Sequence, residues 1–201
     1  MVFPNSVPHL QLGLFRLEDI CVRLQEDMAG YLRTAGLEKT PGIDATFRWL
    51  ARRGVRVALL SDHRPAEVTI LLERLGWAVG PGQLIDCVLP EQRKYDNPVR
   101  TLITRAGLTD GSLAFSMFDT PRLLRAAHFS RVAFNLGVTN GQHGYGDLAG
   151  APHRALLDTP VQLADYLVEN LPEAPRRPSG GSASAYRLPL LRLVRLPGGR
   201  E

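Results

Sequence analysis

Residues 11–22 read Gln-Leu-Gly-Leu-Phe-Arg-Leu-Glu-Asp-Ile-Cys-Val, and this stretch decides the fold. Most of its first seven residues are apolar or glycine, which is typical of a buried parallel strand. The acidic pair Glu18 and Asp19 ends the apolar run abruptly. In an open α/β sheet, ligands bind beyond the carboxyl ends of the strands, so we expect a functional site at residues 16–19.

Apolar runs with β-branched residues alternate with amphipathic patterns along the rest of the chain. Strands are predicted over about residues 11–17, 55–60, 84–89, 113–118, 131–136 and 154–157. Helices are predicted over about 22–35, 43–53, 65–75, 98–106, 121–127 and 160–171, and a glycine-rich surface loop over 137–150. Strands that alternate with helices predict a doubly wound, mostly parallel α/β sheet covered on both faces.

The charge is divided unevenly along the chain. Residues 172–201 are rich in Pro, Gly, Ser and Arg and have six Arg against two Glu, whereas residues 1–171 hold 18 cations and 18 anions. We therefore predict one α/β domain over 1–171 and a flexible basic tail over 172–201, although residues 186–196 could instead add an edge strand. A nucleic-acid role would depend on the tail alone, which has a single aromatic residue, Tyr186, so nucleic acid is not an expected partner.

Two further features bear on the cellular compartment. The sequence has no apolar run near the roughly 20 residues that a membrane-spanning helix needs, and its N-terminus does not follow a signal-peptide pattern. A cytoplasmic protein without a membrane partner is the expectation. Cys21 and Cys87 are predicted to be small buried hydrophobic residues, since two thiols form neither a disulfide framework nor a zinc site.

Five short segments follow one another in a characteristic order. The first is Phe-Arg-Leu-Glu-Asp at 15–19, and the second runs from Pro41-Gly42 through Arg-Gly-Val-Arg-Val-Ala-Leu at 53–59 to Leu75-Gly76-Trp77. The others are Asp119-Thr120-Pro121, Gly-Val-Thr-Asn-Gly at 137–141 and Ala151-Pro152-His153. In this order and spacing they resemble the motifs of the phosphonatase-like hydrolases, a branch of the haloacid dehalogenase (HAD) superfamily, over about residues 11–171.

The resemblance implies a HAD-type Rossmannoid fold and hydrolysis of a phosphoric ester or phosphonate. That chemistry needs an attacking carboxylate, a second carboxylate that moves a proton, donors that hold the phosphoryl group, and Mg²⁺. The family's first motif usually reads Phe-Asp-x-Asp-Gly-Thr, and here Arg16 stands at the position of the nucleophile and Glu18 at that of the acid/base residue. The motif is therefore degenerate, because a guanidinium cannot attack phosphorus.

The resemblance also marks candidate binding residues. Ser61 matches the family's phosphate-holding hydroxyl, and Arg93 or Lys94 matches its third-motif cation. Arg16 could present its guanidinium to a phosphate or carboxylate, or it could pair with Asp119 or Glu18 inside the protein. Asp119 matches the metal-binding Asp of the fourth motif, although an Asp at this position could also cap the following helix.

Only residues 23–40 lie between the first two motifs, where phosphonatase-like relatives insert a helical cap, so we expect an essentially capless protein. An uncovered site could be closed by a second copy of the chain or by a protein partner. One hypothesis is a pseudo-hydrolase that binds a small anion, a phosphorylated ligand or a protein. The alternative is a phosphatase or phosphonatase-like hydrolase with an altered Mg²⁺-dependent mechanism, in which Glu18 or Asp19 is the base for a water. Mg²⁺ is implied only by that alternative.

Overall fold

The computed structural model describes residues 9–23 and 37–171, and its centre is a six-stranded parallel sheet. The strand order is β5-β4-β1-β6-β7-β8, and every neighbouring pair in it runs parallel. Two short strands, β2 and β3, pair with each other in antiparallel fashion outside this sheet. The strands are β1 Leu12–Arg16, β2 Val22–Arg23, β3 Glu38–Lys39, β4 Arg56–Leu60, β5 Cys87–Leu89, β6 Ala114–Phe118, β7 Phe134–Val138 and β8 Ala155–Leu157.

Helices cover both faces of the sheet. They are α1 Ile43–Ala51, α2 Pro65–Arg74, α3 Pro98–Arg105, α4 Pro121–Phe129, α5 Tyr145–Ala149 and α6 Leu163–Asn170, with single 3₁₀ turns at Gln92–Lys94, Gly111–Leu113 and Pro160–Gln162. The apolar sides of α1, α2 and α6 belong to one core cluster, and those of α3, α4 and α5 belong to another. The predicted doubly wound α/β fold is confirmed.

The central strand β1 divides these two cores because its side chains alternate between the faces of the sheet. Leu12 and Leu14 pack into the core beneath α3 and α4, whereas Phe15 packs into the opposite core. There the ring of Phe15 meets that of Phe115 edge-on, with centroids 5.6 Å apart. Gly13 makes room for this contact, since a Cβ atom at Gly13 would lie 2.5 Å from Cζ of Phe115.

Two predictions of secondary structure are wrong. The predicted helix over 22–35 begins instead with the strand β2, because Val22 and Arg23 pair with Lys39 and Glu38 after the chain has turned at Asp19. The predicted surface loop over 137–150 contains the end of β7 and the helix α5. Buried Leu148 explains that helix, since its side chain packs into the core beneath α3 and α4.

Several predictions concern residues that the structure does not describe. The remainder of the helix predicted over 22–35, most of the 23–40 connection and the whole tail over 172–201 lie outside the described residues. The other predicted strands and helices are present, with bounds that differ by a few residues. Within residues 9–23 and 37–171, no helix is long and apolar enough to cross a membrane.

Candidate functional site

The polar residues of the candidate site are brought together by three neighbouring strands. Arg16 ends β1, Ser61 follows β4, and Asp119 follows β6. Because β1 lies between β4 and β6, the carboxyl ends of all three strands meet at one edge of the sheet. From β1 the chain continues to β4 on one side and reaches β6 on the other, so this edge is a topological switch point, where α/β proteins bind ligands.

The guanidinium of Arg16 lies at the centre of this edge and contacts several carboxylates. Its Nη1 donates to Asp119 at 2.9 Å from Oδ2 and 3.1 Å from Oδ1, and to Asp19 Oδ2 at 3.2 Å. Its Nη2 donates to Asp62 Oδ2 at 3.1 Å, while Nε lies 3.6 Å from Glu18 Oε2. Burial alone would lower the pKa of Arg16, but the surrounding carboxylates raise it above its ordinary value, so the guanidinium stays charged.

We call Arg16, Glu18, Asp19, Ser61, Asp62 and Asp119 the Arg16 cluster. Asp119 is its most buried carboxylate, with no solvent-exposed surface. It also accepts a hydrogen bond from the backbone N–H of Gln142 at 2.7 Å, and a Cβ atom at Gly141 would collide with its side chain. Asp119 does not cap the following helix, because Thr120 does so by accepting a bond from the N–H of Leu123.

Glu18 is buried on the opposite side of Arg16. Its Oε1 accepts a hydrogen bond from the hydroxyl of Ser61 and another, at 3.1 Å, from the backbone N–H of Asp62. His63 Nε2 lies 3.6 Å from the same oxygen. Burial raises the pKa of Glu18, although the bond from Ser61 and the charge of Arg16 act against that rise.

Asp19 occupies the rim of the cluster. Its φ of 62° places it in the left-handed region, which Asp tolerates better than most residues, and this conformation turns the chain away from the sheet. A third of its side chain is exposed. Burial of the remainder raises the pKa of Asp19; Arg16 opposes that rise, and the nearby charges of Asp119 and Asp62 add to it.

The two predicted third-motif cations have different partners. Arg93 binds Asp62 through two hydrogen bonds, from Nε at 3.0 Å and from Nη2 at 3.1 Å, and its side chain is 69% exposed. Lys94 instead pairs with Glu91 at 2.6 Å, so it does not join the Arg16 cluster. Sequence reasoning missed Asp62, although its place beside Ser61 at a strand end was the signal for it.

The cluster does not fit Mg²⁺. The guanidinium of Arg16 already lies among Glu18, Asp19, Asp62 and Asp119, and its charge would repel a second cation there. Among the described residues, no group of three or more His, Cys, Asp or Glu side chains is arranged to hold a metal ion. What the arrangement can do chemically is hold or move a proton at Glu18, whose burial favours the neutral acid.

Solved structures of similar fold are HAD-like hydrolases and phosphatases. A haloacid dehalogenase-like family hydrolase from Streptococcus pneumoniae is 10% identical over 79% of this chain and 99% of its own, with a TM-score of 0.60. A predicted phosphoglycolate phosphatase from Haemophilus somnus is 13% identical over 80% and 99%, with a TM-score of 0.62. The cobalt-bound deoxy-D-mannose-octulosonate 8-phosphate phosphatase from Haemophilus influenzae is 14% identical over 76% and 80%, with a TM-score of 0.56.

Sequence comparisons add no closer relative. No family model matches the chain. A comparison with curated proteins also finds no match. Structural similarity at such low identity shows the fold alone, so the chain has the HAD-like α/β fold, and the phosphonatase-like branch stays a prediction.

Proposed function

We propose that this chain, which has the HAD-like fold, is a pseudo-hydrolase that acts by binding rather than by catalysis. One observation carries the proposal: the guanidinium of Arg16 fills the switch point of the sheet and binds Asp119 at 2.9 Å. In a catalytically competent HAD protein, an attacking carboxylate and a metal ion would be needed at this place. Here the guanidinium of Arg16, which is paired with Asp119 inside the protein, supplies the positive charge at this place.

The remaining acidic residues do not replace a nucleophile. Asp119 is fully buried and accepts bonds from Arg16 and from the backbone of Gln142, which leaves it no approach to a substrate. Asp19 and Asp62 both hold Arg16 in place. Covalent catalysis requires an accessible, activated nucleophile, and these contacts favour a structural role for the carboxylates.

The charge of the cluster also argues against a phosphate bound among its residues. Four carboxylates face the single buried cation Arg16, and Arg93 adds one exposed cation at the rim. Of the donors that the sequence suggested for an anion, Nη1 and Nη2 of Arg16, the hydroxyl of Ser61, and Nε and Nη2 of Arg93 are already bonded to carboxylates. In the part of the chain that the structure describes, Nε of Arg16 is buried without a hydrogen-bond partner, 3.6 Å from Glu18 Oε2. We therefore infer that the cluster stabilises the fold, and that ligands or a protein partner bind elsewhere on the chain.

Turnover of a broad panel of phosphate esters with Mg²⁺, measured for the natural protein and for Arg16→Asp, tests the proposal. We expect no turnover by the natural protein. Detectable turnover by Arg16→Asp would then show that the pocket is intact and lacks only a nucleophile. Arg52→Asp is the matched control, because Arg52 is an exposed arginine at the end of α1 and makes no contact with the cluster among the described hydrogen bonds and ion pairs.

Two results would contradict the proposal. Robust hydrolysis by the natural protein that is abolished by Asp119→Ala would show an active enzyme that uses the cluster. Robust hydrolysis that survives Arg16→Asp would show that the reacting group lies elsewhere. Melting temperatures of all variants separate loss of activity from loss of folding.

The raised pKa of buried Glu18 favours a second candidate function, a hydrolase in which Glu18 is the base for an attacking water. In that case the natural protein would hydrolyse an ester of the panel, and Glu18→Gln would abolish the reaction without lowering the melting temperature. Absence of turnover by the natural protein across the panel excludes this candidate.

A further inference from the structure

Exposed cations outnumber exposed carboxylates in the segment that contains α3 and α4. Seven cations lie between residues 92 and 131, all of them exposed, and the exposed carboxylates of this segment are only Asp96 and Asp110. The cations are Arg93, Lys94, Arg100, Arg105, Arg122, Arg125 and Arg131. We call the exposed surface of this segment, which carries an excess of positive charge, the basic face.

A cleft of about 790 Å³ runs along α3 on this basic face. The cleft is shallow and open to solvent over most of its extent, so a ligand there would be held by its charged walls rather than enclosed. Lys94, Arg100 and Arg105 line it, and none of the lining residues belongs to the Arg16 cluster. The cleft is therefore a separate place on the molecule, and an inference about it does not depend on whether the cluster is catalytic.

The cations of the cleft are available to a ligand. Within the described residues, the side chain of Arg100 has no hydrogen-bond or ion-pair partner. Arg105 donates through Nη1 to the carbonyl of Val88 at 2.8 Å, which fixes its position and leaves its other N–H groups open. Lys94 has only the ion pair with Glu91, and an exposed pair of this kind is weak.

Hydroxyl groups lie between these charges. Thr101 and Thr104 line the cleft together with Arg100 and Arg105; Thr104 lies one turn after Arg100, and Arg105 lies one turn after Thr101. The hydroxyl of Thr101 donates to the carbonyl of Asn97, so its oxygen can still accept a bond. One carboxylate, Asp96, also lines the cleft, which leaves an excess of positive charge over it.

We propose that this cleft binds a small molecule with two anionic groups, at least one of them a phosphoryl group. Arg100 and Arg105 are five residues apart on α3, which separates their attachment points by about 7.5 Å along the helix axis. The two residues are also about 140° apart around the helix axis, so their side chains leave the helix in different directions, and a molecule with a charge at each end can pair with both. Thr104, which lies between the two arginines in sequence and also lines the cleft, adds a hydroxyl that can bond such a ligand.

Calorimetric titration of the full chain with fructose 1,6-bisphosphate and fructose 6-phosphate tests this proposal, because the two probes differ by one phosphoryl group. We expect saturable binding of the bisphosphate and weaker binding of the monophosphate. Arg100→Gln and Arg105→Gln should each weaken bisphosphate binding about tenfold, which corresponds to the loss of one charge-assisted hydrogen bond.

Two controls locate the binding. Arg93→Gln removes the exposed cation that borders the Arg16 cluster, and Arg52→Gln removes an arginine at the end of α1, on the other face of the sheet. Both should leave the affinity unchanged. Melting temperatures identify any variant that fails to fold.

The proposal is wrong if the bisphosphate shows no saturable binding, or if it binds no more tightly than the monophosphate. It is also wrong if Arg93→Gln removes binding while Arg100→Gln does not, which would place the ligand at the Arg16 cluster. Tight, steeply salt-dependent binding of a single-stranded oligonucleotide without binding of the bisphosphate would make the basic face a nucleic-acid surface instead.

Discussion

Replacement of Arg16 by Met tests whether the ion-pair network stabilises the fold. The substitution replaces the guanidinium side chain with an apolar one of similar length. It leaves Asp119, which has no exposed surface, without its cation. Two charges about 3 Å apart attract each other by roughly 5 kcal/mol at an effective dielectric constant of about 20. Desolvation of the pair offsets much of this attraction in the natural protein. Removal of one partner leaves the other charge buried and unpaired, which lowers the free energy of unfolding by about 3–5 kcal/mol.

The assay is urea unfolding at neutral pH, followed by Trp fluorescence and by circular dichroism. A loss of 3–5 kcal/mol corresponds to a fall in melting temperature on the order of 10 °C for a domain of this size. Arg93→Met is the matched control, because Arg93 also pairs with an Asp but is 69% exposed, and we expect it to cost less than about 1 kcal/mol.

A double-mutant cycle then identifies the partner. Asp119→Asn keeps the acceptor for the backbone N–H of Gln142 but removes the charge that Arg16 compensates. The double variant Arg16→Met/Asp119→Asn should therefore be more stable than the sum of the single losses predicts, by about 2 kcal/mol. If Arg16→Met costs less than about 1 kcal/mol, or if the two losses are additive, the cluster does not stabilise the fold in the way argued above.

Three further predictions concern Glu18 of the Arg16 cluster and two positions outside it. Burial raises the pKa of Glu18, so the folded state holds the proton of this carboxyl group more tightly than the unfolded state does. The natural protein should therefore lose stability relative to Glu18→Gln as the pH rises above 4.5, and urea unfolding from pH 4 to 8 measures this loss. Gly13→Ala should lower the free energy of unfolding by about 1–3 kcal/mol, since the added methyl group collides with Phe115; an unchanged urea midpoint would contradict this packing. Burial works against ionisation of Asp44, but hydrogen bonds from Lys39 and Trp77 outweigh it and lower the pKa of Asp44. Asp44→Asn should therefore be less stable than the natural protein at pH 7. The difference between their melting temperatures should shrink as the pH falls below 3.8.

The sequence was sufficient to predict the parallel sheet and most of the helices that cover it. Apolar runs such as Leu12–Arg16 are buried on both faces, and that pattern is local and independent of distant contacts. The positions of Arg16, Ser61 and Asp119 at strand ends were likewise readable, because parallel strands present their carboxyl ends at one edge. Their roles in binding stay predictions.

Local pattern failed where a distant partner decides the conformation. Val22 and Arg23 begin a stretch with an amphipathic helical pattern, but pairing with Glu38 and Lys39 makes them a strand. The helix Tyr145–Ala149 is short, and glycines lie within it and on both sides of it. Only the burial of Leu148 against the core explains it. In both cases tertiary contacts outweigh a weak intrinsic propensity.

What the sequence alone determined is the α/β architecture and the edge of the sheet at which polar residues gather, since both follow from hydrophobic periodicity. What only the tertiary structure decided is how those charges pair: Arg16 binds Asp119 and Asp62 from other strands, Arg93 binds Asp62, and Lys94 turns to a separate cleft. The physical reason is that ion pairing depends on distances of a few ångströms and on burial, and neither quantity is encoded in the spacing of residues along the chain.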